Sequence, residues 1–172
     1  MQQRLQNLRL FLFDVDGVLT DGRIIFDNHG VETKAFDVRD GHGMKMLQRS
    51  GVRLGIITGR QSEVTRIRAH ELGIDLIYQG AKDKLIPYRE ILRELNLTDA
   101  QVGYMGDDLV DLPILRRVGF SATVADAIEE VKPHVHYVTR SPGGRGAVRE
   151  VCDLLLRGNG SWEAVTARYF GG

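Results

Sequence analysis

The sequence predicts an α/β protein built on a doubly wound, mainly parallel sheet of the Rossmann-like type. Short, nearly continuous apolar runs alternate along the chain with amphipathic stretches of helical periodicity. Such runs are typical of strands buried on both faces of a parallel sheet, and alternating strands and helices imply right-handed βαβ units. The predicted strands span residues 8–13, 52–57, 76–78, 102–105 and 120–124.

Helices are predicted between and after these strands. Ser62 suits the N-cap of the second helix, and Gly73 suits its C-terminal stop. No internal repeat or low-complexity linker interrupts the pattern. The predicted helices span residues 43–49, 62–71, 84–95, 109–118, 125–131 and 147–156.

Residues 22–36 break this alternation. Two strand-like runs, 22–26 and 31–36, flank the turn Asp27-Asn28-His29-Gly30 and predict a β-hairpin insertion. An isolated two-stranded hairpin is only marginally stable in water. Its apolar side, with Ile25 and Phe36 as expected members, therefore needs a partner surface. That surface is either the hairpin's own domain or another subunit, and we favour subunit assembly.

The composition indicates one ordinary globular domain over residues 1–172, with 157–172 as a C-terminal tail that carries no recognisable motif. The 23 basic residues balance the 23 acidic ones, which argues against the basic field that drives nucleic-acid binding. The longest apolar run, 151–156, is too short to cross a bilayer, and residues 1–4 lead into no signal-like apolar core. We therefore expect a cytoplasmic protein without a nucleic-acid or membrane partner.

Reactive side chains follow the ends of four predicted strands. Because a doubly wound fold gathers the carboxyl ends of its strands along one edge, these side chains are expected to converge. In chain order they are Asp14 and Asp16, then Thr58 and Arg60, then Lys82 and Lys84, and finally the acidic residues of Gly106-Asp107-Asp108-Leu109-Val110-Asp111.

The charges of this cluster predict a metal ion. Two carboxylates ~4 Å apart repel by roughly 4 kcal/mol at an effective dielectric of 20. With Asp14, Asp16 and Asp107 together, either their pKa values rise or a cation binds. Oxygen ligands without His or Cys favour Mg²⁺, which also accepts phosphate oxygens. Thr58 and Lys84 add a hydroxyl and a positive charge for an anionic group, so phosphoryl transfer is the natural reaction class.

These motifs, in this order, resemble the phosphatase branch of the haloacid dehalogenase superfamily over most of the chain. Asp14-Val15-Asp16-Gly17-Val18-Leu19-Thr20 matches its first motif, Thr58 its second, Lys84 its third and Gly106–Asp111 its fourth. The resemblance implies that Asp14 attacks phosphorus and forms an aspartyl phosphate. It implies that Asp16 protonates the leaving alcohol and later takes a proton from water.

The resemblance also implies the remaining roles at this centre. Thr58 and Lys84 would hold the phosphoryl oxygens. Lys82 is the alternative to Lys84 as the lysine of the third motif. Lys84 is favoured because it begins a long predicted helix. Mg²⁺ would be held by Asp14, by the main-chain carbonyl of Asp16 and by Asp107. Asp108 or Asp111 would orient the waters of the metal.

The spacing of the motifs leaves no room for a cap domain. Only the hairpin and one short helix lie between Asp16 and Thr58, and one helix and one strand lie between Thr58 and Lys84. A capless chain with this hairpin is similar to the sugar acid phosphatases of lipopolysaccharide biosynthesis. That similarity implies a homotetramer, in which a neighbour could close the site, and an eight-carbon keto sugar acid 8-phosphate as substrate.

Other functions stay open at this stage. A nine-carbon keto sugar acid 9-phosphate is the nearest alternative substrate, because no residue separates the two. From a different class, the chain could be a phosphoacceptor domain or a non-catalytic assembly module. Asp16 argues against a phosphoacceptor, because storing a phosphoryl group requires no general acid. An EF-hand is disfavoured because Val18 stands where a third loop ligand is required.

The resemblance implies a set of substrate contacts, and arginine in that set suits bidentate recognition of a carboxylate. Several members have plainer interpretations: Arg68 and Lys45 as solvated surface charges, and Arg39 with Asp40 as a pair within a turn. The loop 143–146 is either flexible, an anion site, or a border of a neighbour's site through Arg145. His42 and the single cysteine, Cys152, are expected to be structural. The implied contacts are Asp16, Asp37, Val38, Arg39, Asp40, Gly41, Lys45, Arg60, Arg68 and Lys84.

Overall fold

The computed structural model describes residues 2–171 and contains a six-stranded sheet and a separate two-stranded hairpin. Every neighbouring pair in the six-stranded sheet is parallel, and the spatial order is β5-β4-β1-β6-β7-β8. Its strands are β1 (Leu10–Phe13), β4 (Arg53–Ile57), β5 (Leu76–Tyr78), β6 (Val102–Met105), β7 (Phe120–Thr123) and β8 (Tyr137–Val138).

The predicted doubly wound sheet is confirmed, and each of the predicted strands is present. The sixth strand, β8, was not predicted, because two residues are too few to show a period. It joins the sheet edge through the register pairs Ala122↔Tyr137 and Thr123↔Val138. A short N-terminal helix, α1 (Gln2–Gln6), was also not predicted.

Most predicted helices are present with shifted ends. The helix predicted from residue 43 begins earlier, because Asp37 caps it by accepting a hydrogen bond from the backbone N–H of Arg39 at 2.7 Å. Ser62 is confirmed as an N-cap, with Thr65 as its donor. The helices are α2 (Val38–Arg49), α3 (Glu63–Glu71), α4 (Leu85–Leu95), α5 (Leu112–Leu115), α6 (Ala147–Gly158) and α7 (Trp162–Thr166).

Two helix predictions in the second half of the chain need correction. The helix predicted at 109–118 is divided into the 3-10 turn Leu109–Asp111 and the short α5. The helix predicted at 125–131 is wrong. The backbone N–H of Ala125 bonds the carbonyl of Ser141, and that of Ile128 bonds the carbonyl of Asp107. A helix beginning at residue 125 would bond the N–H of Ile128 to the carbonyl of Val124, so the bond to Asp107 replaces its first α-helical bond. The bonds from Ala127 to Val124 and from Val131 to Ile128 are single turns.

The side chains of β1 alternate between two apolar cores. Phe11 and Phe13 pack in the core that includes α2 and α6, whereas Leu10 and Leu12 pack in the core that includes α4 and α5. All four side chains are fully buried, as the two-residue period of a strand covered on both faces requires. The rigid centre of the sheet therefore carries the residues that follow β1.

The chain reverses its direction of winding beside β1. It moves outward through β4 and β5, then returns to pair β6 with the other edge of β1 and continues to β7 and β8. Asp14 and Asp107 follow β1 and β6, the two strands that flank this reversal. Open α/β sheets bind ligands at such a point, outside the carboxyl ends of the strands.

The predicted hairpin is confirmed and comprises β2 (Ile25–Phe26) and β3 (Glu32–Thr33), antiparallel with Ile25 opposite Thr33. Phe36 packs against the core of its own domain. Ile25 does not share that environment: it is 47% exposed, and Ile24, Phe26 and Val31 are similarly exposed. The expectation that Ile25 and Phe36 lie on one apolar side is therefore wrong. We call the four exposed side chains, Ile24, Ile25, Phe26 and Val31, the hairpin patch.

The C-terminal tail docks on α2. Its 3-10 turn Ala167–Tyr169 brings the Tyr169 hydroxyl to accept a hydrogen bond from Arg49 at 2.8 Å and to lie 2.9 Å from Nε2 of His42. The guanidinium of Arg157 lies over the ring of Trp162.

Gly172 lies outside the described residues. None of the helices within residues 2–171 has the length and apolar character needed to span a membrane.

Candidate active site

A cavity of about 400 Å³ opens at the carboxyl edge of the sheet, beside the reversal at β1. The structure thus brings together the candidate catalytic residues that the sequence places after separate strands. The cavity is lined by Asp14, Asp16, Thr58, Gly59, Arg60, Ala81, Lys82, Lys84, Asp108 and Val110.

Three carboxylates converge at the base of this site. Asp14, Asp107 and Asp111 each offer an oxygen within 4.8 Å of the other two. Burial, followed by repulsion from Asp111, raises the pKa of Asp14 to about 6. Burial and repulsion from Asp14 raise the pKa of Asp107 to about 8. The cluster therefore disfavours three negative charges at neutral pH.

The unpartnered oxygens of this cluster fit a hard cation. Oδ1 of Asp14 and Oδ1 of Asp107 are buried and accept no hydrogen bond, and such groups are costly unless something pairs with them. Oxygen donors of this kind are the ligands that Mg²⁺ prefers. The predicted magnesium site therefore has suitable donors at the positions that the sequence indicated.

Lys84 links two members of the cluster. Its ammonium lies 2.9 Å from Oδ2 of Asp14 and 2.7 Å from Oδ1 of Asp111, and the residue is 3% exposed. Burial opposes the charged ammonium, but the two carboxylates outweigh burial and raise the pKa of Lys84. Lys82 lines the same cavity but is exposed. This contrast favours Lys84 as the lysine of the third motif.

Asp111 organises the loop that follows β6. Its Oδ1 accepts hydrogen bonds from Lys84 and from the Tyr104 hydroxyl, the latter at 2.6 Å. Its Oδ2 accepts the backbone N–H groups of Asp107 and Asp108 at 3.0 and 3.2 Å. Tyr104 was missed by the sequence reasoning, although its place in a strand directly before the acidic motif could have indicated an inward-facing hydroxyl. Asp108 caps the next turn through the backbone of Leu109.

Gly17 allows the loop after β1 to approach the acidic cluster. Its φ of +92° lies in a region that side chains disfavour, and a Cβ there would meet Oδ2 of Asp107 at 2.1 Å. The glycine-rich loop 143–146 supports this turn from outside, since the N–H of Gly144 bonds the carbonyl of Val18 at 2.9 Å. That loop therefore packs against the first motif and supports its conformation.

Two charged residues of the hairpin contact residues that line the cavity, and the sequence reasoning missed both. Lys34 forms a hydrogen bond with Oδ1 of Asp16. Glu32 accepts a hydrogen bond from Arg60 at 3.0 Å. The alternation of Glu32, Lys34 and Phe36 along one strand could have indicated that all three face the body of the protein.

The other expected substrate contacts lie apart from this cavity. Asp37, Asp40, Gly41 and Arg68 line a separate cavity of about 10 Å³ beside Phe36. The two cavities share no lining residue. Contact of this second set with the substrate therefore stays a prediction.

Asp40 and Arg39 do not pair as the sequence suggested. Arg39 pairs with Asp37 at 2.9 Å. Asp40 is 2% exposed and accepts the backbone N–H groups of Gly146 and Arg149 at 3.2 and 2.7 Å. The interpretation of Asp40 as the partner of Arg39 is wrong, because its carboxylate caps the N-terminus of α6.

The remaining candidates have surface or structural environments. Arg68 bonds Glu71 at 2.8 Å and lies over the ring of Phe36. Lys45 is partly buried, near Gly73, and Val38 is 78% exposed. Neither of the latter two lines either cavity. Other positions outside the central site are Arg145, which lies 4.0 Å from Asp21, and the fully buried Cys152.

Magnesium is expected to stabilise the protein more at about pH 8 than at about pH 5. The pKa values of Asp14 and Asp107 lie near 6 and 8 in the fold and near 3.8 when unfolded. The metal-free fold therefore binds more protons than the unfolded chain and loses stability as pH rises through this window. Mg²⁺ binds the ionised carboxylates and offsets the loss.

Thermal unfolding with and without Mg²⁺, across this pH range and at matched ionic strength, measures the effect. Asp107→Asn should lower the magnesium shift at both pH values, because it removes an expected ligand as well as the carboxyl with the higher pKa. Asp108→Asn is the control variant, because Asp108 is exposed and lies outside the carboxylate cluster, so the pH dependence should remain. An equal magnesium shift in Tm at both pH values would contradict the expectation.

Comparison with known proteins adds an independent finding. The family model for haloacid dehalogenase-like hydrolases matches residues 76–151. The chain is 51% identical to 3-deoxy-D-manno-octulosonate 8-phosphate phosphatase from Yersinia pestis, over 95% of this chain and 88% of that protein. It is 48% identical to the protein of the same name from Escherichia coli K12, over 91% and 84% of the two chains.

A solved structure resembles the whole chain. The 3-deoxy-D-manno-octulosonate 8-phosphate phosphatase from Moraxella catarrhalis, solved in complex with a magnesium ion, a phosphate ion and a KDO molecule, superposes with a TM-score of 0.95 and 43% identity. The match covers 98% of this chain and 97% of that one. The similarity thus extends over nearly the full length of both chains.

Proposed function

The chain belongs to the haloacid dehalogenase-like hydrolases, and from this membership we propose that it is a Mg²⁺-dependent phosphatase of 3-deoxy-D-manno-octulosonate 8-phosphate in lipopolysaccharide sugar biosynthesis. The observation that best supports this proposal is the arrangement of the site. A buried aspartate with an unpartnered oxygen, a second carboxylate two residues later and a buried lysine converge in one cavity. Relatives with this substrate in their names match nearly the whole chain.

In this proposal Asp14 is the nucleophile. Its carboxylate attacks phosphorus, the bond to the sugar oxygen breaks, and an aspartyl phosphate forms on Asp14. Asp16 donates its proton to the leaving sugar hydroxyl and then removes a proton from the water that hydrolyses the aspartyl phosphate. This hydrolysis regenerates the Asp14 carboxylate and releases inorganic phosphate. Each step thus has an acid or base at the cavity wall.

Other residues of the site stabilise charge. Lys84 and Thr58 would hold the phosphoryl oxygens and offset the charge that develops on them. Asp14, Asp107 and the main-chain carbonyl of Asp16 would hold the magnesium ion. When bound, Mg²⁺ would neutralise phosphate charge and orient the phosphoryl group. Asp108 and Asp111 would support this site from outside the ligand set.

Because the cavity is open, we expect residues at the rim of the cavity to recognise the sugar acid part of the substrate. Arg60 is 40% exposed at its side chain and lines the cavity, so it can face the substrate carboxylate. We retain Asp37, Val38, Arg39, Asp40, Gly41, Lys45 and Arg68 as proposed contacts. For Asp40 a role through the packing of α6 is the more direct interpretation, because both of its oxygens are engaged.

Phosphate release from two substrates tests this function. The purified protein with Mg²⁺ is given the eight-carbon 8-phosphate and a nine-carbon keto sugar acid 9-phosphate in parallel. We expect a higher kcat/KM for the eight-carbon substrate, and no release when a chelator removes the metal. An equal or inverted preference would reject the octulosonate assignment, and release that persists with the chelator would reject the magnesium role.

We also propose that the chain forms a homotetramer through the hairpin patch. Ile24, Ile25, Phe26 and Val31 are each about half exposed, in or directly beside the two short strands of the hairpin, and a concentration of exposed apolar side chains marks an interaction surface. Light scattering should give four times the mass of the chain. Ile25→Asp together with Phe26→Asp should lower that mass, whereas a monomeric wild type would overturn the proposal.

A further inference from the structure

The side of the hairpin that faces the cavity carries charge. Glu32 and Lys34 point inward, while their neighbours Val31 and Thr33 are exposed. This two-residue alternation is the ordinary consequence of an extended strand. One segment therefore places two charged side chains against Asp16 and Arg60, while the side chains between them are exposed.

Lys34 is buried against Asp16. Its side chain is 1% exposed, its ammonium bonds Oδ1 of Asp16, and it lies 3.5 Å from Oε1 of Glu32. A buried ammonium is costly unless paired, and charge-assisted hydrogen bonds are among the strongest in proteins. The position of Lys34 is therefore fixed by its two acidic partners, and Asp16 is fixed in turn.

Arg60 faces the other oxygen of Asp16. Its Nε lies 3.8 Å from Oδ2 of Asp16, and its Nη2 donates to Oε1 of Glu32 at 3.0 Å. Asp16 thus lies between two cations, and Glu32 joins them. Oδ1 of Asp16 is taken by Lys34, which leaves Oδ2 as the oxygen available for proton transfer.

We propose that Lys34 is a positioning residue, which holds the Asp16 carboxylate in the orientation needed to transfer a proton to the leaving group. The proposal rests on the proposed role of Asp16 in the phosphatase reaction. It gives the hairpin a second task beside assembly: the segment that would join subunits also aligns the acid–base residue of its own site.

Loss of this positioning role should change the kinetics in a way that general damage to the site would not. Asp14, Lys84 and Asp107 make their contacts without Lys34, so the nucleophilic attack should survive its loss. Proton donation matters for a sugar alkoxide, which leaves poorly without a proton. It matters little for p-nitrophenolate, which is a stable anion. The defect should therefore depend on the leaving group.

The experiment compares kcat/KM for two substrates, octulosonate 8-phosphate and p-nitrophenyl phosphate, at saturating Mg²⁺. For Lys34→Met we expect a loss of about 10- to 100-fold on the sugar phosphate and a change within about threefold on the aryl phosphate. Lys34→Arg, which keeps the charge, should recover most of the loss. Thr33→Ala, on the exposed side of the same strand, is the matched control and should leave both values near those of wild type.

Two further measurements separate the possible outcomes. Light scattering should give the same mass for wild type and Lys34→Met. In an Asp16→Asn background, Lys34→Met should add no loss that depends on the leaving group. An equal loss on both substrates, or none on either, would overturn the positioning role.

The proposed function is tested separately, by wild-type turnover of the sugar phosphate. If the wild type hydrolyses only other alkyl phosphates, the octulosonate assignment fails. The comparison for Lys34 then proceeds with an alkyl phosphate that the wild type does hydrolyse, and the same selective loss would support the positioning role.

Discussion

Replacement of Asp14 with asparagine is expected to abolish phosphate release while the fold stays intact. An amide does not form the aspartyl phosphate, and removal of a nucleophile costs at least about 10⁴-fold in kcat. The fold should tolerate the change because Asn has nearly the same shape. Burial and repulsion from Asp111 already raise the pKa of Asp14 to about 6, so loss of its charge should leave Tm unchanged or higher at about pH 8.

Asp108→Asn is the matched control for this variant. Asp108 lines the same cavity but is exposed and would act only outside the ligand set. Its replacement should cost about 10- to 100-fold. Mass spectrometry of Asp14→Asn must exclude deamidation back to aspartate. Substantial turnover by the intact asparagine variant would contradict nucleophilic catalysis by residue 14.

The parts of this protein that the sequence predicts well are those encoded by neighbouring residues. The apolar run before Asp14 defines a central strand, and the change from apolar to acidic residues marks its carboxyl end. Because parallel strands end at one edge, the convergence of Asp14, Thr58, Lys84 and Asp107 follows from their order alone. The same argument works wherever a reactive residue directly follows a buried strand.

The contacts that the sequence does not predict are made across long stretches of chain. Asp40 caps α6, more than 100 residues away, so its local neighbour Arg39 was the wrong partner to infer. Lys34 reaches Asp16 only because the hairpin folds back over the first motif. In both cases a charged side chain forms hydrogen bonds with a residue that is distant in the sequence. The pattern of neighbouring residues does not indicate which residue that is.

The segment 125–131 shows the same effect in the backbone. Its composition permits a helix, but the N–H groups of Ile128 and Ala125 bond carbonyls of the loops after β6 and β8, respectively. Those bonds hold the segment beside Asp107 and so support the loop that follows β6. Tertiary hydrogen bonds therefore override local helix propensity where the loops around the site must pack against one another.

Replacement of Lys84 with methionine is expected to damage both stability and catalysis. The buried ammonium offsets Asp14 and Asp111, and removal of one partner of a buried charge pair costs about 3–5 kcal/mol. The loss should be largest at neutral to basic pH, where the carboxylates ionise, and Mg²⁺ should recover part of it by pairing with Asp14. Catalysis should fall by at least about 10²-fold, because the cation that we propose to stabilise the phosphoryl oxygens is lost.

Lys82→Met provides the comparison that assigns these effects to the buried ammonium. Both lysines line one cavity, two residues apart, but Lys82 is exposed, so its loss should change the free energy of unfolding by no more than about 0.5 kcal/mol. Denaturant unfolding and phosphate release on both variants, with and without Mg²⁺, give the result. A greater loss for Lys82→Met would move the third-motif role to Lys82. Equal stability of both variants would mean that the buried lysine does not hold the acidic cluster together.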